Sequence, residues 1–216
     1  MDHVTVVLPC RDEAQSLPAV LAAIPHGYSA LVVDNDSADG TAAVARAHGA
    51  RVVTERTPGY GAAVHAGIAA ADGPIVAVLD ADGSLDPRDL PKLVEAVEAG
   101  SDMALGRRRP VPGLGFPWHA RLGNAAVCWR LRARHGLPVR DIAPMRVCRR
   151  HALLDLGVLD RRSGYPVELL VRAAAAGWRI AEFDVHYGPR TGGRSKVTGS
   201  LRGSLAAAVD FWTAIS

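Results

Sequence analysis

Short apolar runs alternate with helical patterns through the first hundred residues, and this alternation limits what the chain can fold into. Val4-Thr5-Val6-Val7-Leu8 is a β-branched run that Pro9 is expected to stop, and it reads as a buried strand. Ser16 is placed to cap the next helix, with Pro18 tolerated in its first turn. Ala30 to Val33 is a second strand, ending in Asp34-Asn35-Asp36-Ser37. Asp39-Gly40 then opens a helix from Thr41 to His48. Arg51 to Thr54 is a third strand, and Gly59-Tyr60-Gly61 leads into a helix reaching about Ala71. Ile75 to Leu79, the most apolar strand, runs straight into Asp80-Ala81-Asp82. Asp86-Pro87 starts a further helix, with Asp89 set for a capping-box-like pairing, and Leu90, Leu93, Val94 and Val97 form one face of it.

Strands alternating with helices imply parallel βαβ units with right-handed crossovers. In such sheets the polar loops at the carboxyl ends of the strands gather on one edge and form the ligand site. That rule brings Asp34, Asp36, Asp80 and Asp82 together.

The second half is less regular. Met103 to Gly106 reads as a strand, and residues 107–117, rich in Pro and Gly, as a mobile loop. Trp118, Leu122, Ala126 and Trp129 fit the apolar face of a helix with arginines on its other side. Val167, Leu170, Val171 and Ala174 mark another helix, and Ile180 to Tyr187 a strand. Gly188 to Gly199 is a basic, Gly-rich loop, and Leu201, Leu205, Ala208, Trp212 and Ile215 share a stripe of a last amphipathic helix. With 216 residues, 49% of them hydrophobic, and no linker or repeat, the chain is expected to be one domain. Residues 1–106 would be its nucleotide-binding half, 107–199 the acceptor side and closing loop, and 200–216 the terminal helix.

A formal net charge of +3 gives no reason to expect nucleic acid as a partner. The clusters Arg107-Arg108-Arg109 and Arg121 to Arg134 suit an anionic ligand such as a diphosphate or phospholipid, or a solvated basic face. Three cysteines (Cys10, Cys128, Cys148), odd in number and without CxxC spacing, argue against a disulfide framework or zinc site and for a reducing cytosol. No leader precedes the first strand and no apolar run is long enough for a bilayer, so a cytoplasmic protein, with peripheral contact at the inner membrane face still open, is expected.

Two carboxylates at i and i+2 on a tight turn can both reach one hard cation, and Mg²⁺ or Mn²⁺ held so bridges to ligand phosphates. An isolated D-x-D is as easily a solvated turn. Here an apolar strand feeds it and a second acidic cluster follows another strand. Asp34 and Asp36 can accept hydrogen bonds from ribose or base, whereas Ser37 and Asp39 are expected to make turns and cap a helix. The Gly59-Tyr60-Gly61 turn is equally a phosphate approach or a plain helix entry. Arg190-Thr191-Gly192-Gly193-Arg194-Ser195-Lys196 can close over a diphosphate, with Arg as a fork and Lys as a point charge, or stay a solvated loop.

Val6-Val7-Leu8-Pro9-Cys10-Arg11-Asp12-Glu13, Val33 to Thr41, Asp80-Ala81-Asp82-Gly83 and Arg190-x-x-Gly193-x-Ser195-Lys196 occur in order. Together they resemble family 2 inverting glycosyltransferases, particularly the dolichol-phosphate mannosyltransferase-like branch, over about residues 4 to 200. The resemblance implies a GT-A fold, a Rossmann-like three-layer α/β/α sandwich around a mostly parallel mixed sheet. It implies transfer of a sugar from a UDP- or GDP-linked donor, with Mg²⁺ or Mn²⁺ at Asp80 and Asp82. Pro9, Arg11 and Glu13 would line the nucleotide pocket beside Asp34 and Asp36, with Ala81 between the two metal-site acids. Arg107 would sit near a donor or acceptor phosphate, and Arg190, Ser195 and Lys196 in the loop over the pyrophosphate. The branch commonly follows its D-x-D with Leu and then Gln or Ser, where this chain has Gly83-Ser84. It lacks the membrane helices of some relatives, and both departures weaken a polyprenyl phosphate acceptor against a small hydroxyl compound.

A hydroxyl acceptor needs a general base; an ionised phosphate does not. Asp141, before Ile142-Ala143-Pro144-Met145-Arg146, and Glu168, after Tyr165-Pro166, are the candidate acids, against a salt bridge and helix N-terminal electrostatics respectively. His119 and His186 can touch ligand but are expected to be structural. Trp118, Trp129, Trp178 and Trp212 are expected in the core or at an interface, and the terminal helix is expected to pack against its own domain, with a membrane or a second copy as its other partners. A sugar-phosphate nucleotidyltransferase would need a Gly-rich GxGTR-like loop where Pro9-Cys10-Arg11-Asp12 stands. A non-catalytic sugar-nucleotide sensor is the other rival.

Overall fold

The computed structural model, which describes residues 3–113 and 118–191, grows from a central strand, β1 (Val4–Cys10). β1 pairs in parallel with β2 (Tyr28–Asp34) on one side and β4 (Ile75–Val78) on the other. β3 (Arg51–Thr54) extends the sheet beyond β2. Past β4 lies β6 (Met145–Arg149), antiparallel to it, then β5 (Met103–Pro110) and β7 (Ile180–Tyr187), which pair in parallel. The order among the described residues is β3-β2-β1-β4-β6-β5-β7. β6 alone in it runs against the rest, so the carboxyl ends of the other strands and the amino end of β6 share one edge.

Helices cover both faces because successive strand residues point to opposite sides. Val4, Val6 and Leu8 of β1 pack with α1 (Leu17–Ala22), α2 (Thr41–Ala47) and α4 (Leu90–Glu98). Val7 belongs to the other core, with α3 (Tyr60–Ala70), α5 (Trp118–His135), α6 (Arg150–Asp155) and α7 (Tyr165–Ala175). The expected α4 stripe Leu90, Leu93, Val94 and Val97 is buried.

Several local expectations need correction. Pro9 does not stop β1, which pairs through Cys10 with Asp34. The Val7 carbonyl accepts from Leu79 on the β4 side, so the Pro9 nitrogen two residues on faces that side too, where β4 has ended and no donor is missed. Residues 107–110 are not loop but the end of β5, paired with Asp184 to Tyr187. Ser16 gives no side-chain cap to α1, and Asp89 turns to Lys92 and the His186 backbone instead of a capping box. Asp86 does cap the short 3₁₀ turn Pro87–Asp89, accepting from Arg88 N. α5 forms as expected but presents the opposite face. Val127, Cys128 and Leu131 are buried, while Trp118, Leu122 and Trp129 are exposed. The terminal helix of 200–216, Trp212, Ser195 and Lys196 lie outside the described residues.

No described helix is long and apolar enough to cross a membrane. The three cysteines are buried, and none forms a disulfide among the described residues.

Candidate functional site

The shared sheet edge assembles the site from several segments. Two of them are zipped by side chains. Asp12 N donates to Ser37 Oγ and Glu13 N to Thr41 Oγ1, at 3.0 and 2.9 Å. In return Asp12 Oδ1 accepts from Ala38 N, and Asp39 Oδ2 from Ala14 N. This fixes the loop after β1, bearing Glu13 and exposed Arg11 just beyond Pro9, against the loop after β2. Asp34 is buried at the end of β2, accepting from Ser37 N, and Asp36 is exposed with φ 62°. Ser37 and Asp39 thus hold turns, as expected. Asn35, which pattern reading passed over, donates to the Glu55 and Thr57 carbonyls and accepts from Gly59 N. It holds the loop entering α3.

Asp80-Ala81-Asp82 leaves β4 at the centre of this edge. Buried Ser16 Oγ lies 2.8 Å from the Ala81 carbonyl and 3.1 Å from Glu13 Oε2, tying the turn to the β1 loop. Ser16→Ala is expected to cost about 1–2 kcal/mol, because the Ala81 carbonyl would stay buried without its donor. A urea midpoint equal to that of the parent chain would show that Ser16 does not hold the turn. Ser84 N and Oγ both donate to Asp82 Oδ1, at 2.9 and 2.6 Å. Asp82 Oδ2 faces Arg190, 3.0 Å away. Thr191 N and Oγ1 reach the Asp82 carbonyl, drawing the segment after β7 over the turn. Gly83 has φ 76°, and a Cβ there would meet Thr191 Oγ1 at 2.0 Å. A larger residue would push this segment off.

Burial pushes the Asp80 carboxyl up to about 6, and Asp82 pushes the same way, while Arg146, Arg108 and Arg190 pull against them. Three cations from three elements therefore surround a pair of acids. The donor set fits a hard divalent cation: two oxygen-bearing acids, with a guanidinium already seated at Asp82 Oδ2 as a cationic stand-in. Among the described residues no group of three His, Cys, Asp or Glu assembles, so further ligands would come from water or phosphate.

Arg107, expected near a donor or acceptor phosphate, lies on the β7 side of β5. Its guanidinium is taken by Asp184 and Glu182 on β7, and Arg109 also pairs with Asp184. Alternation along β5 sends Arg108 to the other face, toward Asp80. Arg108 makes a fork to buried Asp141, Nε to Oδ2 at 2.9 Å and Nη2 to Oδ1 at 2.6 Å, and lies over the Tyr187 ring. Burial works against its charge, but Asp141, Tyr187 and Asp80 more than restore it, so its pKa is raised. The backbone of Arg140 and Asp141 donates to Glu182, and Asn124 of α5 bridges Arg140 O and Ile142 N.

Arg146, at the start of β6, is buried and donates to the Ile142 carbonyl at 3.0 Å and the Tyr60 hydroxyl at 3.5 Å. Its Nε has no hydrogen-bond partner among the described residues. Burial pushes the Tyr60 phenol up to about 12, so it stays a neutral hydroxyl. Gly59-Tyr60-Gly61 is a helix entry, since Gly61 N and Ala62 N donate to the Arg162 and Arg161 carbonyls. Glu168 supports that same loop, accepting from Leu159 N, Asp160 N and Arg172. Burial alone would raise its pKa, but these donors hold it below the ordinary carboxylate value. His186 sits exposed beside Asp89, and Trp178 packs against the core.

The family model described as "Glycosyl transferase family 2" matches residues 5–155. A Mycobacterium tuberculosis protein named as an uncharacterized glycosyltransferase is 70% identical, covering 100% of this chain and 99% of its own. Polyprenol monophosphomannose synthase of Mycolicibacterium smegmatis is 34% identical over 90% of this chain and 81% of that protein. Among solved structures, glucosyl-3-phosphoglycerate synthase of M. tuberculosis, in complex with Mn²⁺, UDP and glucosyl-3-phosphoglycerate, has a TM-score of 0.74 at 23% identity. The match covers 98% of this chain and 78% of that one, and the shared architecture is the GT-A fold.

Proposed function

Because the chain belongs to glycosyl transferase family 2, we propose that it moves a sugar from a UDP- or GDP-linked donor to an ionised phosphate oxygen. A polyprenyl phosphate is the acceptor this reading favours. The Arg108–Asp141 fork carries it. A hydroxyl acceptor would need a free base. Both candidate acids are engaged, Asp141 by Arg108 and Glu168 by Arg172 and two backbone donors. A buried guanidinium beside Asp80 offers a phosphate acceptor what it needs, orientation and neutralisation. The polyprenol synthase among the relatives supports a phosphate acceptor, and the phosphoglycerate-bearing product in the solved neighbour supports an anionic one.

In this reading the nucleoside lies against Pro9, Arg11, Glu13, Asp34 and Asp36, and the diphosphate at Asp80 and Asp82. Mg²⁺ or Mn²⁺ held by those two acids would neutralise the charge that gathers on the leaving diphosphate. The Mn²⁺ and UDP of the solved neighbour support that choice. Arg190 exchanges Asp82 for the diphosphate, and Ser195 and Lys196 follow it in the chain to the same anion. The acceptor oxygen attacks the anomeric carbon from the side opposite the departing oxygen. The new C–O bond forms, the bond to diphosphate breaks with its electron pair, and configuration inverts. Arg108 orients the incoming phosphate and Asp141 positions Arg108.

Purified protein with Mn²⁺, a panel of UDP- and GDP-sugars and a polyprenyl phosphate should yield a glycosylated lipid phosphate. Asp141→Asn separates positioning from base catalysis. The expected result is a raised acceptor KM with kcat lowered about tenfold, since Arg108 stays but loses its alignment. A fall in kcat of about 10⁴-fold at unchanged KM would instead assign Asp141 as the base of a hydroxyl acceptor.

A further inference from the structure

α5 has two apolar faces. Val127, Cys128 and Leu131 pack inward, which already satisfies the helix's need for a core contact. On the opposite side Trp118, Leu122 and Trp129 stand 74%, 61% and 69% exposed, with exposed Ala125 between them at helical spacing. Large apolar side chains aligned on an outer face mark a contact surface. The charge around the stripe selects the occupant. α5 carries Arg121, Arg130, Arg132 and Arg134 and no acidic residue, and Arg121 and Arg132 border one edge of the stripe by helical spacing.

We infer that this face of α5 docks on an anionic lipid surface. Indole rings sit at the boundary of headgroup and acyl chain, with an apolar body and a polar N–H. The bordering arginines reach anionic headgroups while their stems cover apolar surface. A second copy of this chain is a poor occupant, since two-fold pairing would bring arginine against arginine.

Docking stands on α5 alone; its link to catalysis rests on the phosphate-acceptor reading. That link is Asn124, which joins α5 to Arg140 and Ile142 on either side of Asp141. A lipid-bound α5 thereby sets the segment that aligns Arg108 at the surface where a lipid phosphate would arrive.

The full chain is tested by co-sedimentation with phosphatidylcholine vesicles, with and without phosphatidylglycerol. Binding is expected only with the anionic lipid and should weaken as salt rises. Leu122→Ser with Trp129→Ser should weaken it about tenfold or more. Arg121→Gln with Arg132→Gln should weaken it by about tenfold as well. All these positions are exposed, so melting should hold. Trp129→Cys adds an exposed thiol to three buried ones, and its reaction with maleimide should be fast in solution and slow on vesicles. No sedimentation, or binding unchanged in the Leu122/Trp129 variant, overturns the inference. So does slow labelling in solution, or a dimer that those substitutions split. Donor hydrolysis on the same samples separates this failure from failure of the transferase reading, because it needs no vesicle.

Discussion

Asp80→Asn is expected to lower sugar transfer by about 10³-fold or more while making the ligand-free protein more stable. The loss follows from removing one of the two acids proposed to hold the metal and diphosphate, where charge stabilisation contributes several kcal/mol to the transition state. The gain follows from the Asp80 carboxyl, pushed up to about 6 by burial and by Asp82. Its folded-state value lies above the unfolded one, near 3.8, so the folded chain holds this proton more tightly. Stability tied to Asp80 therefore falls as pH rises from about 4 to about 6, and the full cost stands at neutral pH. That cost is at most about 3 kcal/mol, and Asn removes it. Melting in chelator should show Asp80→Asn above the parent chain at neutral pH and level with it near pH 4. The same shift predicts that divalent cation affinity falls about tenfold per pH unit below pH 6. A variant that melts lower at neutral pH, or still transfers sugar, would sink this account of the turn.

The second large effect belongs to Arg108. Arg108→Met should lower kcat/KM for a phosphate acceptor by about 10²–10³-fold, with hydrolysis of the donor by water far less affected. It should also cost about 3–5 kcal/mol of stability, because Asp141 is left buried and charged. Adding Asp141→Asn should return most of the stability and none of the transfer. If the double variant regains activity, Arg108 does not touch the acceptor. If the single variant is neither unstable nor slow, the fork with Asp141 is incidental.

The donor half was legible because its signals are local. Apolar runs of the right length, ending in acids, specify βαβ units, and the sheet rule puts Asp34 and Asp80 on one edge. Arg108 was hidden by a boundary error of four residues. With β5 cut at Gly106, nothing distinguishes three consecutive arginines; with β5 run to Pro110, alternation separates Arg108 from Arg107 and Arg109. The strand survives its Pro and its charges because Asp184 on β7 supplies the counter-charge, a partner 75 to 77 positions away. The outer face of α5 misled for a related reason. Its tryptophans outweigh Val127, Cys128 and Leu131 in any hydrophobic count, yet the smaller residues fit against the core. Ser16 and Arg146 bond across the fold, to Ala81 and Tyr60, and such contacts leave no periodic trace.

The reversal of β6 has a consequence for how such a protein can diversify. Every other described strand delivers its trailing loop to the edge that holds Asp80 and Asp82, whereas β6 delivers the segment that leads into it. Residues 136–144 thus arrive between β4 and β5 without belonging to any βαβ unit. Lengthening or recomposing that segment leaves the crossover geometry of the donor half intact. If the proposed reading holds, the stretch that takes the sugar nucleotide and the stretch that meets the recipient can change independently of one another.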